Sequence, residues 1–251
     1  MGGKGKFPDL AQIDATHYLL AYEENNLGHA VVLTVNTGTW VITQGEHLVY
    51  DDVKGLAPAL AQIDPTHYLL TYSNDLNYGI AVVLTVNGGT VTEGTHFEYD
   101  TTEGKTPALA QIDSTNYLCA YDGGTGADGC AVVLTVDTGT WEITETASYI
   151  YDTTLGETPA LAQIDDCDYL CAYEGEGSGG YAVVLKFASG GGGGDGVVSG
   201  GAGYVKQSAA GDSGTSDFAL TASEESQMLT IAIAPDPNSG GGGGGGGEIR
   251  P

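Results

Sequence analysis

Carboxylates dominate the chemistry open to this chain. Its 251 residues include 33 Asp and Glu against 7 Lys and Arg, a formal net charge of −26. Acidic and amide side chains gather in short glycine-containing segments that recur along the chain. One set comprises Glu23, Glu24, Asn25 and Asn26, then Ser73, Asn74, Asp75 and Asn77 beside Tyr78, then Asp122 and Asp128, then Glu174 and Glu176. A second comprises Asp51, Asp52, Asp100, Glu103, Asp152 and Glu157. Hard oxygen ligands in such loops suit Ca²⁺, and Asp51, Asp52, Asp100 and Asp152 are the candidate ligands. The competing reading is a solvated acidic rim, since no loop matches an EF-hand or a calcium-binding β-helix repeat. A glycan is the other candidate ligand. Its candidate face is Glu23, Glu24, Asn74, Asp75, Tyr78, Asp122, Asp128, Glu174 and Glu176, where amides, carboxylates and one aromatic ring supply polar and stacking groups.

Catalysis finds less support. Glycoside hydrolysis needs two carboxylates in distinct environments about 5–10 Å apart. Here the prominent carboxylates recur, and a residue repeated in each unit serves the unit more readily than one reaction centre. The five histidines, His17, His29, His47, His67 and His96, form no HxH or HxxxH pair. His17 and His67 are equivalent to Asn116 and Asp168, which suggests a polar residue opening a strand rather than a metal ligand. Cys119 and Cys171 stand where earlier copies have Leu20 and Leu70, so they read as small buried apolar groups. Cys167 and Cys171, four apart on a predicted strand, are too distant to bridge. The expectation is a protein that is not an enzyme and has no cofactor, Ca²⁺ excepted. Its charge disfavours nucleic acid. No apolar stretch reaches the ~18–20 residues that span a bilayer, so no membrane insertion is expected. Residues 1–9 lack the apolar core of a signal peptide.

The elements that must carry these side chains come in tandem. Ala-Gln-Ile-Asp ends at Asp14, Asp64, Asp113 and Asp165, and each copy continues with Tyr-Leu-(Leu/Cys)-(Ala/Thr)-Tyr and then Ala-Val-Val-Leu. Each unit of ~50 residues holds four strand candidates: A (as at 10–13), B (as at 18–22), C (as at 30–35) and D (as at 95–99). No segment keeps a 3.6-residue period, so helices should be nearly absent. Four short antiparallel strands per tandem unit predict an all-β fold, a β-propeller of four blades. An open β-sandwich or a solenoid of the same meanders is the alternative. In a propeller the B–C and D–A loops emerge on one side, which would unite the two sets of carboxylates.

The C–D turns carry a resemblance. Asn36-Thr37-Gly38-Thr39-Trp40 and Asp137-Thr138-Gly139-Thr140-Trp141 are similar to the Asp-box hairpin of sialidase-type propellers, short of it by one residue before Trp. The second copy, Asn87-Gly88-Gly89-Thr90-Val91, has no Trp, and the fourth has no such turn. The resemblance implies a structural box: Asp or Asn holds the turn, Gly takes a positive φ, and Trp40 and Trp141 pack between blades. A sialidase activity would need clustered arginines for the substrate carboxylate, and the sole arginine is Arg250. Over residues 7–187 the repeat also resembles tandem repeats of bacterial and phage-associated surface proteins, which implies an extracellular or virion-surface setting.

The fourth repeat stops after strand C at Lys186-Phe187, leaving an open sheet edge. Either the C-terminal segment supplies the missing strand, or a neighbouring subunit does, giving oligomers or fibres. Two regions follow: a four-repeat propeller over 1–187, and over 188–251 a glycine-rich linker with a small β segment and flexible end. That segment predicts a hairpin from Asp217–Ala222 and Met228–Ala234. The expected function is a non-enzymatic structural or adhesion protein that self-associates; the alternatives are a carbohydrate-binding propeller and a degenerate glycosidase-type propeller.

Overall fold

A computed structural model describes residues 5–124, 126–187 and 198–202. The chain divides into two units, Met1–Gly214 and Thr215–Pro251, and all described residues belong to the first. The predicted hairpin at 217–234 therefore lies outside the described residues.

Four antiparallel sheets follow one another as the blades of a four-blade β-propeller. The first holds β1 (Gly5–Gln12), β2 (His17–Glu24), β3 (Leu27–Asn36), β4 (Val41–Gln44) and β5 (Leu48–Asp51). The second holds β6 (Leu56–Gln62), β7 (His67–Ser73), β8 (Gly79–Asn87), β9 (Thr90–Glu93) and β10 (Phe97–Asp100). The third holds β11 (Gly104–Gln111), β12 (Asn116–Gly123), β13 (Asp128–Val136) and β14 (Ile143–Asp152). The fourth holds β15 (Glu157–Gln163), β16 (Asp168–Gly175), β17 (Gly179–Phe187) and β18 (Val198–Ala202). The only helical element among the described residues is a 3₁₀ turn at Glu176–Ser178. The outer strand is one piece in the third blade but two in the first and second, where β4 and β5 both pair with β3, and β9 and β10 both pair with β8. In the fourth blade β18 pairs with β17, so the open edge is filled within the chain.

Local chemistry repeats with the blades. At each A–B turn one Asp ties the backbone: Asp64 Oδ1 accepts from the N–H of Thr66 at 2.7 Å and of His67 at 2.8 Å. Asp14, Asp113 and Asp165 do the same in their own turns. The next polar side chain closes on that carboxylate, His17 on Asp14 at 2.8 Å and Asn116 on Asp113 at 2.8 Å. These bonds hold the Asp14 carboxyl down at about 2. The inner strand bulges once per blade before a proline. Phe7, Ala57, Thr106 and Thr158 sit at φ 44–48, each just ahead of Pro8, Pro58, Pro107 or Pro159 and each at a register shift. Proline removes a ladder donor there, which suits a bulge.

The core lies between blades, because each sheet buries its two faces against different neighbours. The forward face of the first blade (Leu19, Ala21, Ala30, Val32) packs on the back face of the second (Tyr68, Leu70, Tyr72, Val82, Leu84). The second and third blades repeat this with Leu69, Ala81 and Val83 against Tyr117, Cys119, Val132 and Leu134. The third and fourth repeat it with Leu118, Ala120 and Ala131 against Tyr169, Cys171, Val183 and Leu185. Cys119 and Cys171 are fully buried and unbridged, as small apolar groups should be.

Two ties cross each joint. The tyrosine opening strand B reaches back to the preceding blade: Tyr68 donates to the Gln12 carbonyl at 3.3 Å, Tyr117 to Gln62 at 3.3 Å and Tyr169 to Gln111 at 2.7 Å. The same hydroxyls accept from the Gln of their own Ala-Gln-Ile motif, Gln62, Gln111 and Gln163. The second tie is a glycine clasp. Gly28, Gly79 and Gly129 lie under Tyr50, Tyr99 and Tyr151, with Gly55, Gly104 and Gly156 of the next blade pressed against them; a Cβ at any of the first three would enter the ring. Those rings pack in turn on Tyr72, Tyr121 and Tyr173 at centroid separations of 4.9, 5.1 and 5.0 Å.

Candidate functional site

The D–A and B–C segments meet at the strand ends, and the structure accounts for most of their carboxylates. Asp51, Asp100 and Asp152 each spend Oδ1 on two backbone N–H groups of the following turn, at 2.7–3.2 Å. Asp100 Oδ2 accepts from Tyr121 at 3.1 Å and Asp152 Oδ2 from Tyr173 at 3.0 Å, both in the next blade. Asp52 is exposed. Among the described residues no three His, Cys, Asp or Glu converge on a point that would hold a metal ion.

The predicted ligand face is likewise dispersed. Asn74 Oδ1 holds its own turn, accepting from Leu76 and Tyr78. Tyr78 packs against the core between the first two blades. Asp75 and Glu176 are exposed, while Glu24, Asp128 and Glu174 are half-buried. A shallow hollow brings Asp51 and Asn74 together with Tyr72, His96 and Glu98. A second lies at the A–B turns of the third and fourth blades and contains none of the predicted residues.

The position after the strand-B tyrosine is the one with unusual electrostatics. It is occupied by Glu23, Ser73, Asp122 and Glu174 in successive blades, each opposite the start of strand A. Glu23 is buried and ion-paired to Lys6 at 2.8 Å. Asp122 is 5% exposed and faces Lys105 across the ladder, but Lys105 turns to Glu103. Asp122 Oδ1 is left without a hydrogen-bond partner. Burial raises its carboxyl to about 6, with Lys105 opposing and Glu103 and Glu157 adding to the rise. Its equivalence to Glu23 was visible in the repeat; the diversion of its lysine was not.

A carboxyl whose folded pKa lies above its unfolded value weakens the fold once ionised. That cost grows from about pH 4 and is complete above about pH 6. Asp122→Asn is therefore expected to stabilise the protein at pH 7–8 by about 1–3 kcal/mol and to leave it unchanged near pH 4. Urea unfolding at both pH values measures this, and equal effects at the two would contradict it.

The hairpin resemblance is met in part. Asn36 Oδ1 and Asp137 Oδ1 each accept two turn N–H groups, at 2.7–3.1 Å. The positive φ falls on Trp40 and Trp141 rather than on the turn glycine, because the turn is one residue short; in the second copy Gly88 takes it. Trp141 stacks on His67 of the preceding blade at 3.6 Å. Trp40 is 76% exposed and does not pack between blades, since among the described residues the fourth blade makes no joint with the first like the three between successive blades.

No protein-family model matches the sequence, and no curated protein matches it. Solved structures match in fold. A candidate 6-phosphogluconolactonase from Bacteroides fragilis superposes with a TM-score of 0.57 at 11% identity, over 80% of this chain and 57% of that one. The NanB sialidase of Streptococcus pneumoniae gives 0.51 at 10% identity, over 66% of this chain and 27% of that one. An exo-β-1,3-galactanase from Phanerochaete chrysosporium, solved with β-1,3-galactotriose, gives 0.50 at 7% identity, over 73% and 50%. The chain thus spans just over half of the lactonase and less of the other two. At such identities the likeness concerns fold alone: this chain is built of the same kind of propeller blade as a sialidase, a galactanase and a candidate lactonase.

Proposed function

We propose that this protein is a non-enzymatic structural or adhesion module of an extracellular or virion surface. The observation that supports the reading is the use made of its repeated carboxylates. Asp14, Asp64, Asp113 and Asp165 hold turns, and Asp51, Asp100 and Asp152 hold turns, two of them also anchoring a tyrosine of the next blade. They are framework ligands, committed to backbone N–H groups rather than to a substrate. The Asn36 and Asp137 hairpins fit the same reading as shortened Asp-box turns, and the acidic charge suits a soluble surface protein. The test is a hydrolysis panel of sialosides, β-1,3-galactans and sugar lactones. No turnover is expected; turnover that Asp122→Asn abolishes would overturn the proposal.

The glycosidase-type reading has one specific observation behind it, the buried Asp122 carboxyl held near pH 6 beside Glu103 and Glu157. Raised carboxyls of this kind serve as general acids. The same panel decides it.

A further inference from the structure

Among the described residues the first and last blades each have one apolar face with no neighbouring blade packed on it, partly exposed although Val31 and Tyr22 on the first are buried, and the two faces are the two halves of the joint that the chain makes three times internally. We infer that a second copy of this chain docks head-to-tail: the forward face of one fourth blade on the back face of the other copy's first blade.

The back face of the first blade carries Leu10, Tyr18, Leu20, Leu33 and Ile42. Its equivalents of Tyr18, Leu20 and Leu33 in the later blades are fully buried, yet here all three are partly exposed. Ile42 is 62% exposed where Val91 and Ile143 are at 5% and 7%. The forward face of the fourth blade carries Ile164, Leu170, Ala172, Ala182 and Val184. Leu19, Leu69 and Leu118, its equivalents of Leu170, are at 0%, whereas Leu170 is half-buried and Ala172 exposed. Burying such a pair of faces is what stabilises each internal joint.

The polar ties are divided between the two faces in the same way. Tyr18 has no preceding Gln carbonyl to reach, and Gln163 occupies the position whose carbonyl, in Gln12, Gln62 and Gln111, accepts that bond. Gly5 is the equivalent of Gly55, Gly104 and Gly156, and Gly180 the equivalent of Gly28, Gly79 and Gly129; a Cβ on Gly180 would meet nothing within 4 Å. Trp141 stacks on His67, which pairs with Thr85 across the ladder. By the same register Trp40 falls on the Asp168–Lys186 pair of the second copy, where Lys186 replaces the threonine and can lie over the indole face. Each copy offers one of each face, so two copies satisfy both at once in a ring of eight blades about a two-fold axis.

This deepens the structural reading and fails separately from it, because it is read as mass and not as turnover. Sedimentation of the full chain should give a species of twice 25.7 kDa. The equilibrium should strengthen with salt, which screens the repulsion of two chains at −26 each. Ile42→Asp or Leu170→Glu alone should weaken association by on the order of 100-fold. Mixing the two variants leaves one intact joint and should restore a heterodimer, which misfolded variants could not do. A monomer at all concentrations, as when residues beyond Phe187 cover these faces, would overturn the inference. So would a dimer indifferent to both substitutions, or an open polymer in place of a pair.

Discussion

Gly79→Ala is expected to destabilise the protein by about 3 kcal/mol or more, through overpacking at a joint that cannot yield. The new methyl would enter the Tyr99 ring, and behind it stands the Gly104 backbone of the next blade. Tyr99 cannot swing away because it packs on Tyr121 at 5.1 Å. Gly104 is fixed by its N–H bond to the Asn77 carbonyl at 2.7 Å. Relief therefore requires the second and third blades to separate, which uncovers apolar surface on both. Gly180→Ala is the matched control, since nothing lies within 4 Å of its added carbon. Urea unfolding of the monomer in dilute solution reports the difference: the midpoint of the first variant should fall with little change in slope, while the second should stay near the parent. Equal midpoints would show that the clasp is slack.

Tyr117→Ala should cost about 4 kcal/mol, at the upper part of the range for deleting a buried aromatic side chain. Tyr117 is fully buried, donates to the Gln62 carbonyl and accepts from Gln111. Its loss leaves a cavity between two blades and strands both partners. Tyr18→Ala makes the same deletion at the equivalent position of the first blade, where the ring is partly exposed and no blade precedes it. That variant should lose about 1 kcal/mol. Thermal or chemical unfolding in dilute solution compares them, and similar losses would mean that burial is not what distinguishes the two positions.

Much of the fold could be read from spacing. The recurrence of Tyr-Leu-(Leu/Cys)-(Ala/Thr)-Tyr and Ala-Val-Val-Leu implied four equal meanders, and β2, β3, β7, β8 and their successors cover those motifs. Less visible were the starts of the inner strands at Gly5, Gly104 and Glu157, well before the Leu-Ala-Gln core. Prolines at 8, 58, 107 and 159 cannot donate to a continuous ladder, and a bulge at positive φ just before each accommodates them. The division of the outer strand into β4 and β5 was also hidden, because Gly45–His47 breaks a ladder whose two halves are too short to show alternation. The candidate site was legible as a list and not as an arrangement. Sequence cannot say that Asp51 and Asn74 are occupied by their own turns, or that Lys105 favours Glu103 over Asp122, since those outcomes depend on loop geometry. The exposure of Trp40 follows from its blade being first, which the repeat order contained.

The strand that completes the fourth sheet comes late. β18 begins at Val198, eleven residues after β17 ends at Phe187. On the ribosome the first three blades can pair and stack in order as they emerge. The fourth must wait with the β17 edge bare until the segment beyond 197 has left the tunnel. A nascent chain halted in that interval presents unpaired N–H and C=O groups to its neighbours on the same message, the situation in which exchanged strands arise. The glycine-rich stretch before Val198 thus sets the length of a vulnerable pause in the birth of the molecule.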